Sequence, residues 1–352
     1  MRDTPPRSNR AEPIEVTLSL SPSTRVQLLD VAAAVRQVAI TEAFPRVCYA
    51  SLHTTAGYFE QRIMRSLGGT GQNIIAYLQH YLAWIPPDDG YKHDALHLRS
   101  ELTWEQQQVE SRNAHAHLVY IASGLSSCVK YDNHPTEPVY LVDLDGVHDE
   151  ARRERKVRAI AYSAEEPVAQ DYWTVPIGFS NDCVDLATSG LHLYDRIAAM
   201  IRAQQVRKGR VILTLPVAAP NVALTINEYE PLLIRFDLSR ILSNRSPLAS
   251  VEYAASRPDR SGRLAIPGQA SVIGALYDMP PHSSNSRGGQ NGGRSPQCAL
   301  VTRRCVALLV SDYETPGVGT IVRGRYQSPI LIPIGRRITD SVALTATVTR
   351  FV

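Results

Sequence analysis

The chain repeats a helix-and-strand pattern once, and this repeat limits the folds open to it more than any other feature. The apolar residues 29–35 resemble residues 193–201, and each segment is followed by a strand-like segment that opens with Arg-Val, at Arg46 and Arg210. The offset is about 165 residues in both comparisons, which indicates a duplication and not a chance match of one helix. The sequence therefore predicts two homologous domains joined head to tail.

The same pattern predicts an α+β fold, in which each domain has a mostly antiparallel β-sheet with flanking helices. Apolar residues at helical spacing predict helices within residues 25–38 and 73–84. Asn113 is a good N-cap for a third helix, which Gly124 would end.

The repeat also places the domain boundaries. Ser, Asn and Gly dominate one segment of the second domain, a composition typical of a flexible disordered insertion, with a lid over a site as the alternative. The predicted segments are a flexible tail at residues 1–13, a first domain at 14–164, and a divergent second domain at 165–352 with its flexible loop at 280–296.

Composition excludes some partners. A chain of 352 residues with 44% hydrophobic and 20% charged residues is typical of a soluble globular protein. The formal charge of +3, from 37 basic and 34 acidic residues, gives no reason to expect nucleic acid as a partner. No apolar run approaches the roughly 20 residues that span a bilayer, so we expect no membrane partner.

The cysteines predict a compartment. They are five in number, widely spaced and without a Cys-x-x-Cys pair, a pattern that fits reduced thiols in a cytoplasmic protein. Cys48 and Cys128 lie within apolar stretches, where buried and inert thiols are expected.

The histidines indicate where chemistry would take place. Eight of the ten lie before residue 160, and three of them come from separate elements: His53 at a strand end, His93 after a turn, and His117 near a helix start. Three imidazoles with one open coordination position would bind zinc or another divalent metal and activate water. His115 is two residues from His117 and so points to nearly the opposite side of a helix, which makes it an accessory ligand-binding residue.

A site without metal needs the same residues in other roles. One imidazole would act as general base and another as general acid. The N-terminus of the helix after Asn113 would hold an anionic phosphate or carboxylate, with Thr54 and Thr55 as donors.

Two carboxylates are further catalytic candidates. Asp88 would orient His93 or bind a ligand amine, although Asp-Asp-Gly is also ordinary turn chemistry. Glu60 would act as a general acid or base if the local register shifts, and is otherwise a solvated carboxylate.

At these residues the chain resembles the YjbQ-like family, often described as secondary thiamine-phosphate synthases. The resemblance covers nearly all of the first domain. It implies a thiamine-phosphate synthase-like activity and assembly into a homo-oligomer. Its motifs are His53-Thr54-Thr55-Ala56, Tyr91-Lys92-His93, and Asn113 to Leu118 leading to Gly124-Leu125-Ser126.

The second domain matches the same family at a different place. Asn227 and Glu228 resemble the Asn-Glu pair that in the family follows His-Thr-Thr-Ala, while Ala219 holds the position of the histidine. In the first domain, Gln61 and Arg62 replace the Asn-Glu pair. These reciprocal losses predict a composite site with histidines from one domain and Asn227 and Glu228 from the other. The alternative is a decayed second copy with a structural role only.

The leading expectation is an enzyme that uses His53, His93 and His117, by metal-dependent or acid–base chemistry, on a small anionic or phosphorylated metabolite. It would be a transferase or hydrolase. The alternative is a non-catalytic ligand-binding or assembly protein with a structural metal or anion site.

Overall fold

A computed structural model gives the fold of most of the chain. The predicted loop at residues 280–296, Asp88 and most of the predicted N-terminal tail lie outside its described residues. These are residues 11–87, 89–148, 151–178, 182–188, 190–217, 219, 221–243, 301, 303–334 and 340–352.

The first half of the chain alternates strands and helices. Its elements are β1 (Ile14–Leu20), β2 (Gln27–Asp30), α1 (Val31–Val38), β3 (Arg46–Ser51), β4 (Ala56–Gly57), α2 (Gln61–Ser66), α3 (Gly71–Trp84), a 3-10 helix (Leu96–Leu98), α4 (Trp104–Val109), α5 (Ala114–Ser123), β5 (Cys128–Asp132), β6 (Tyr140–Asp143), β7 (Val147–His148), β8 (Ala151–Arg152) and β9 (Arg155–Tyr162).

The second half has longer strands. Its elements are β10 (Glu165–Pro176), β11 (Val184–Asp185), α6 (Leu193–Ala203), β12 (Gly209–Thr214), β13 (Val222–Glu228), a π-helix (Leu233–Leu238), α7 (Ser239–Ser243), β14 (Cys305–Ser311), β15 (Thr320–Val322), β16 (Gln327–Pro333) and β17 (Ser341–Phe351).

The two halves share one strand order. The first half forms sheets β1-β9-β3-β5 and β2-β6-β4, and the second half forms sheets β10-β17-β12-β14-β15 and β11-β16-β13. In the larger sheets, β1, β9, β3 and β5 correspond in order to β10, β17, β12 and β14, and β15 is an additional edge strand. In the smaller sheets, β2, β6 and β4 correspond to β11, β16 and β13. The pairings within these sheets are antiparallel. The predicted α+β fold with mostly antiparallel sheets and flanking helices is thus confirmed, and the shared strand order is consistent with two related domains.

The helix predicted within residues 25–38 was wrong in its first part. Residues Gln27–Asp30 form β2, because they pair with Tyr140–Asp143 of β6 in register. The helix itself begins at Val31, where the carboxylate of Asp30 accepts the backbone N–H of Ala33 at 3.0 Å. Pairing with a strand more than a hundred residues later overrides local apolar spacing here.

The halves pack against each other through buried apolar surfaces. The rings of Tyr162 and Phe351, one from each half, stack with centroids 3.9 Å apart. The apolar cluster around them contains Cys48, Ala50, Cys128, Ile160, Ala307 and Leu309. Because the halves share this buried surface, side chains from both can meet in one site.

Helix α5 is the most enclosed helix of the first half. All ten of its residues are buried, although two of them are histidines. Gly124 ends it in the left-handed conformation, at a φ of 78°, as predicted. No helix in the described part of the chain combines the length and the apolar character that crossing a membrane requires.

Candidate functional site

The start of α5 is held by two carboxylates. Asn113 occupies the N-cap position, but its side chain makes no capping hydrogen bond. Asp94 accepts the free backbone N–H of Ala114 at 2.9 Å instead, and Asn113 donates its amide to Asp145 at 2.7 Å. A carboxylate therefore already occupies the helix end at which we expected an anionic ligand.

The two histidines of α5 have different partners. His115 Nδ1 lies 3.4 Å from the Arg25 guanidinium, within the first half. His117 Nδ1 lies 2.8 Å from Oδ1 of Asn227, in the second half. Side chains two residues apart on a helix point in nearly opposite directions, so the two histidines contact different halves of the chain.

Asn227 fixes the tautomer of His117. Its Nδ2 donates to the carbonyl oxygen of Thr54 at 2.8 Å, so its Oδ1 is the atom that faces the imidazole. An amide oxygen only accepts, so His117 Nδ1 carries the hydrogen and Nε2 carries the lone pair. That Nε2 lies 3.7 Å from Oε2 of Glu228, too far for a direct hydrogen bond.

His117 is neutral near pH 7. Burial, together with the positive charge of His93, lowers its pKa from 6.5 to about 3. Its Nε2 therefore stays unprotonated over the physiological pH range.

His93 is held by a second-half carboxylate. Its Nδ1 lies 3.0 Å from Oε2 of Glu230, and both residues are buried. The same carboxylate accepts the backbone N–H groups of Leu232 at 2.8 Å and Leu233 at 2.7 Å. Nε2 of His93 is buried and has no hydrogen-bond partner among the described residues.

The contact between His93 and Glu230 favours the charged form of both side chains. Burial opposes the imidazolium form, but the hydrogen bond to Glu230 and the charge of Glu228 outweigh it, so the pKa of His93 is raised. Burial likewise opposes the carboxylate of Glu230, but the hydrogen bonds from His93 and two backbone N–H groups outweigh it and lower its pKa. The imidazole ring centroids of His93 and His117 are 5.4 Å apart, so an imidazole with a raised pKa and one with a lowered pKa lie side by side.

Asp237 holds the backbone that presents His93. Its two carboxylate oxygens accept the N–H groups of Lys92 and His93, each at 2.9 Å. Residues of the second half therefore fix both the ring and the main chain of His93.

Arg99 links Glu228 to the solvent-facing side of the site. Its guanidinium lies 3.4 Å from Glu228 and 2.6 Å from Glu101, and the arginine is only 4% exposed. Burial raises the pKa of Glu228, although the positive charges of His93 and Arg99 oppose this effect. Arg99 Nη1 is buried, and Glu110 lies 3.8 Å from it, an ion-pair contact beyond hydrogen-bond distance.

His53 is directed elsewhere. Its Nε2 accepts the backbone N–H of Lys156 at 2.8 Å, so the lone pair that a metal would need is already in use. Burial and the charge of Arg155 lower its pKa to about 4. Within the described ranges, no group of three or more His, Cys, Asp or Glu side chains is arranged to hold a metal ion. As placed, His53 does not offer that lone pair to a metal shared with His93 and His117.

The remaining predicted residues lie around the site or away from it. The hydroxyl of Thr55 accepts a hydrogen bond from Arg155 at 3.4 Å, and the carbonyl of Thr54 binds Asn227 as described above. Glu60 pairs with Arg303 at 2.5 Å. Asp88 lies outside the described residues.

Motif reasoning missed three residues of this site: Arg99, Glu230 and Asp237. Glu230 follows the Asn-Glu pair by two residues, so the run Asn-Glu-Tyr-Glu contained a signal for it. Arg99 and Asp237 carry no motif in the sequence. Their roles emerge only from contacts between the halves.

No protein-family model and no curated protein matches the chain. It is similar to the solved structure of a YbjQ-like protein of unknown function from Sulfolobus solfataricus P2, 15% identical over 53% of this chain and 99% of that chain, with a TM-score of 0.28. It is similar to an uncharacterised protein of the YjbQ/UPF0047 family from Clostridium acetobutylicum, 20% identical over 41% of this chain and 97% of that chain, with a TM-score of 0.27. A hypothetical protein from Aeropyrum pernix K1 is 18% identical over 43% of this chain and 99% of that chain, with a TM-score of 0.27. The solved structures to which this chain is similar thus include YjbQ-family proteins, as its histidine motifs implied.

Proposed function

We propose that the protein is an enzyme in which His117 and His93 act as a general base and a general acid on a small metabolite. The observation that carries this proposal is the pair of neighbouring imidazoles with opposite surroundings. Asn227 leaves His117 Nε2 as a free lone pair, while Glu230 leaves Nε2 of His93 as a buried, unpartnered donor. Groups whose surroundings push their pKa values apart are suited to these two roles.

Glu228 serves as the third member of the site. Its Oε2 is 3.7 Å from His117 Nε2, a gap that a hydroxyl or water oxygen bonded to both groups would bridge. Through such an atom, a proton taken up by His117 is passed to or from the carboxylate. The acid–base roles therefore use side chains of both halves.

The substrate class is a small anionic or phosphorylated metabolite. Support comes from His93 Nε2, a buried ring nitrogen without a hydrogen-bond partner among the described residues, and from the buried guanidinium of Arg99, whose Nη1 lies 3.8 Å from Glu110, beyond hydrogen-bond distance. An oxyanion would supply hydrogen-bond acceptors for both groups. The thiamine-phosphate synthase activity implied by the family resemblance is the first reaction to assay.

The test compares turnover of phosphorylated and carboxylated metabolites by the full chain and three variants, His117→Asn, His93→Asn and Glu228→Gln. Each should lower kcat by about 100-fold or more, because general acid–base groups contribute on that scale. His134→Asn, at an exposed histidine outside the site, should not. Unchanged turnover in Glu228→Gln would rule out a composite site.

A non-catalytic binding role is the second candidate, because burial of His93 and His117 to 1% exposure also suits a site that holds a ligand without turnover. Ligand binding without turnover across the metabolite panel would favour it. Stoichiometric metal in the purified protein, lost in His53→Ala and His117→Ala, would favour the metal-dependent version.

A further inference from the structure

Two thiols are in contact on one face of the first-half sheet. Sγ of Cys48, in β3, lies 3.6 Å from Sγ of Cys128, in β5. Cys48 is opposite Lys130 in the strand register and Cys128 is opposite Ala50, so the cysteines are diagonal neighbours. Both are free and buried.

The sulfur atoms are close to bonding distance. A disulfide needs a separation of about 2.05 Å, so the atoms must approach by roughly 1.5 Å. Strand β5 is at the edge of its sheet, where its neighbouring strand is β3. An edge strand can make this movement with fewer ladder hydrogen bonds disturbed than a central strand.

An open groove between the halves leads to one of the two thiols. The groove has a volume of about 460 Å³, and Cys128 lines it while Cys48 is fully enclosed behind. Its charged lining residues are four basic ones, Arg62, Arg65, Lys130 and Arg210, and one acidic one, Glu60, so basic side chains are in excess there even though Lys130 and Arg210 share an ion pair with Glu165. A small anionic reagent can therefore reach Cys128 first.

We propose that Cys48 and Cys128 are a redox modification site, at which a small anionic disulfide entering the groove is reduced while a disulfide forms between the two cysteines. The Cys128 thiolate attacks one sulfur of the reagent and releases the first reagent thiolate. Cys48 then attacks the Cys128 sulfur and releases the second. Each cysteine gives up one proton and each released thiolate takes one up, so one disulfide and two thiols become two thiols and one disulfide.

The new bond would join the two strands next to the candidate site. Strand β3 runs directly into the segment of His53, and β5 follows the turn after α5, which carries His117. The hydrogen bond to Cys128 and burial both raise the pKa of Cys48. In a reducing compartment the bond would be transient, as regulatory disulfides usually are.

Peptide mapping tests this directly. The folded full chain is incubated with glutathione disulfide, its remaining thiols are alkylated, and it is digested with trypsin without reductant. Cleavage after Arg46, Arg62, Arg112 and Lys130 yields peptides 47–62 and 113–130, each with one cysteine. We expect these two peptides to appear as one linked species that dithiothreitol separates.

Matched variants decide between outcomes. Cys48→Ala and Cys128→Ala must each abolish the linked species. If Cys48→Ala does not fold, Cys48→Val takes its place. Cys305→Ala must keep the linked species. Alkylation of both Cys48 and Cys128 after oxidation would overturn the proposal. Glutathione retained on Cys128 beside a free Cys48, or a link from Cys128 to Cys305, would overturn it as well.

Discussion

His117 Nδ1 and Asn227 Oδ1 are 2.8 Å apart, and the two residues come from different halves of the chain. The amide of the second half thereby decides which nitrogen of the first-half imidazole carries the hydrogen. The chemistry available to His117 thus depends on how the halves dock, and not on α5 alone.

Asn227→Ala should remove this control. The change leaves His117 Nδ1 and the carbonyl of Thr54 buried without a partner, which should lower the free energy of unfolding by about 1–3 kcal/mol. NMR of the imidazole nitrogens should then show a mixture of tautomers in place of one. The control is Asn73→Ala in α3, which removes a side-chain amide that donates to the carbonyl oxygen of Leu67. This change should leave the tautomer of His117 unchanged.

Stability should fall at acid pH because of His117. Its pKa is lowered from 6.5 to about 3 on folding, so between these values the unfolded chain binds more protons than the folded one. The free energy of unfolding should therefore decrease by about 1.4 kcal/mol per pH unit as the pH falls through this window. Urea unfolding at several pH values measures the slope, which His117→Asn should reduce and His134→Asn should not. An equal slope in wild type and His117→Asn would contradict the assignment.

Glu230→Gln should lower the pKa of His93. Burial alone would lower this pKa in the folded protein, but the hydrogen bond to the Glu230 carboxylate is the largest of the effects that outweigh burial and raise it. A raised pKa stabilises the fold below the unfolded value, and this stabilisation is lost as the pH rises through the folded value. Titration of the His93 Cε1–H signal by NMR should show the lower pKa in Glu230→Gln. Glu314→Gln, at a carboxylate with 72% exposure, should leave the signal unmoved.

Gly324→Ala should disturb the docking of the halves. A Cβ at Gly324 would overlap the carbonyl oxygen of Leu52, one residue before His53, and backbone cannot move aside as a side chain can. We expect the free energy of unfolding to fall by about 3 kcal/mol, on the scale of overpacking. At Gly71, a Cβ would meet its nearest neighbour at 3.5 Å, an ordinary contact, so Gly71→Ala is the matched control. Equal stability of the two variants would contradict the close approach.

The sequence predicted the fold wherever the signal was local or repeated. The helix predicted at residues 73–84 is α3, Gly71–Trp84, because its apolar spacing and the Thr70 cap act within one segment. The repeat predicted two related domains, since it compares the chain with itself. Strand β2 was missed, because its pairing with β6 is set by residues far along the chain.

The site was predictable only in part. Motifs indicated His117, Asn227 and Glu228, whose contacts the structure then describes. The partner of His93 was not predictable, because Glu230 lies 137 residues away and becomes a partner only through burial between the halves. His53 matched a motif, yet its Nε2 is bonded to the backbone of Lys156, a contact that depends on strand pairing.

The shared strand order of the two halves has a consequence for stoichiometry. Although the two halves share one strand order, the family resemblance assigns Ala219 to the His53 position in the second half and Gln61-Arg62 to the Asn-Glu position in the first half. Among the described residues, the imidazole–amide–carboxylate set is therefore assembled once per chain. Calorimetric titration should accordingly saturate at one ligand per polypeptide, and any cooperativity in binding would have to arise between separate polypeptides.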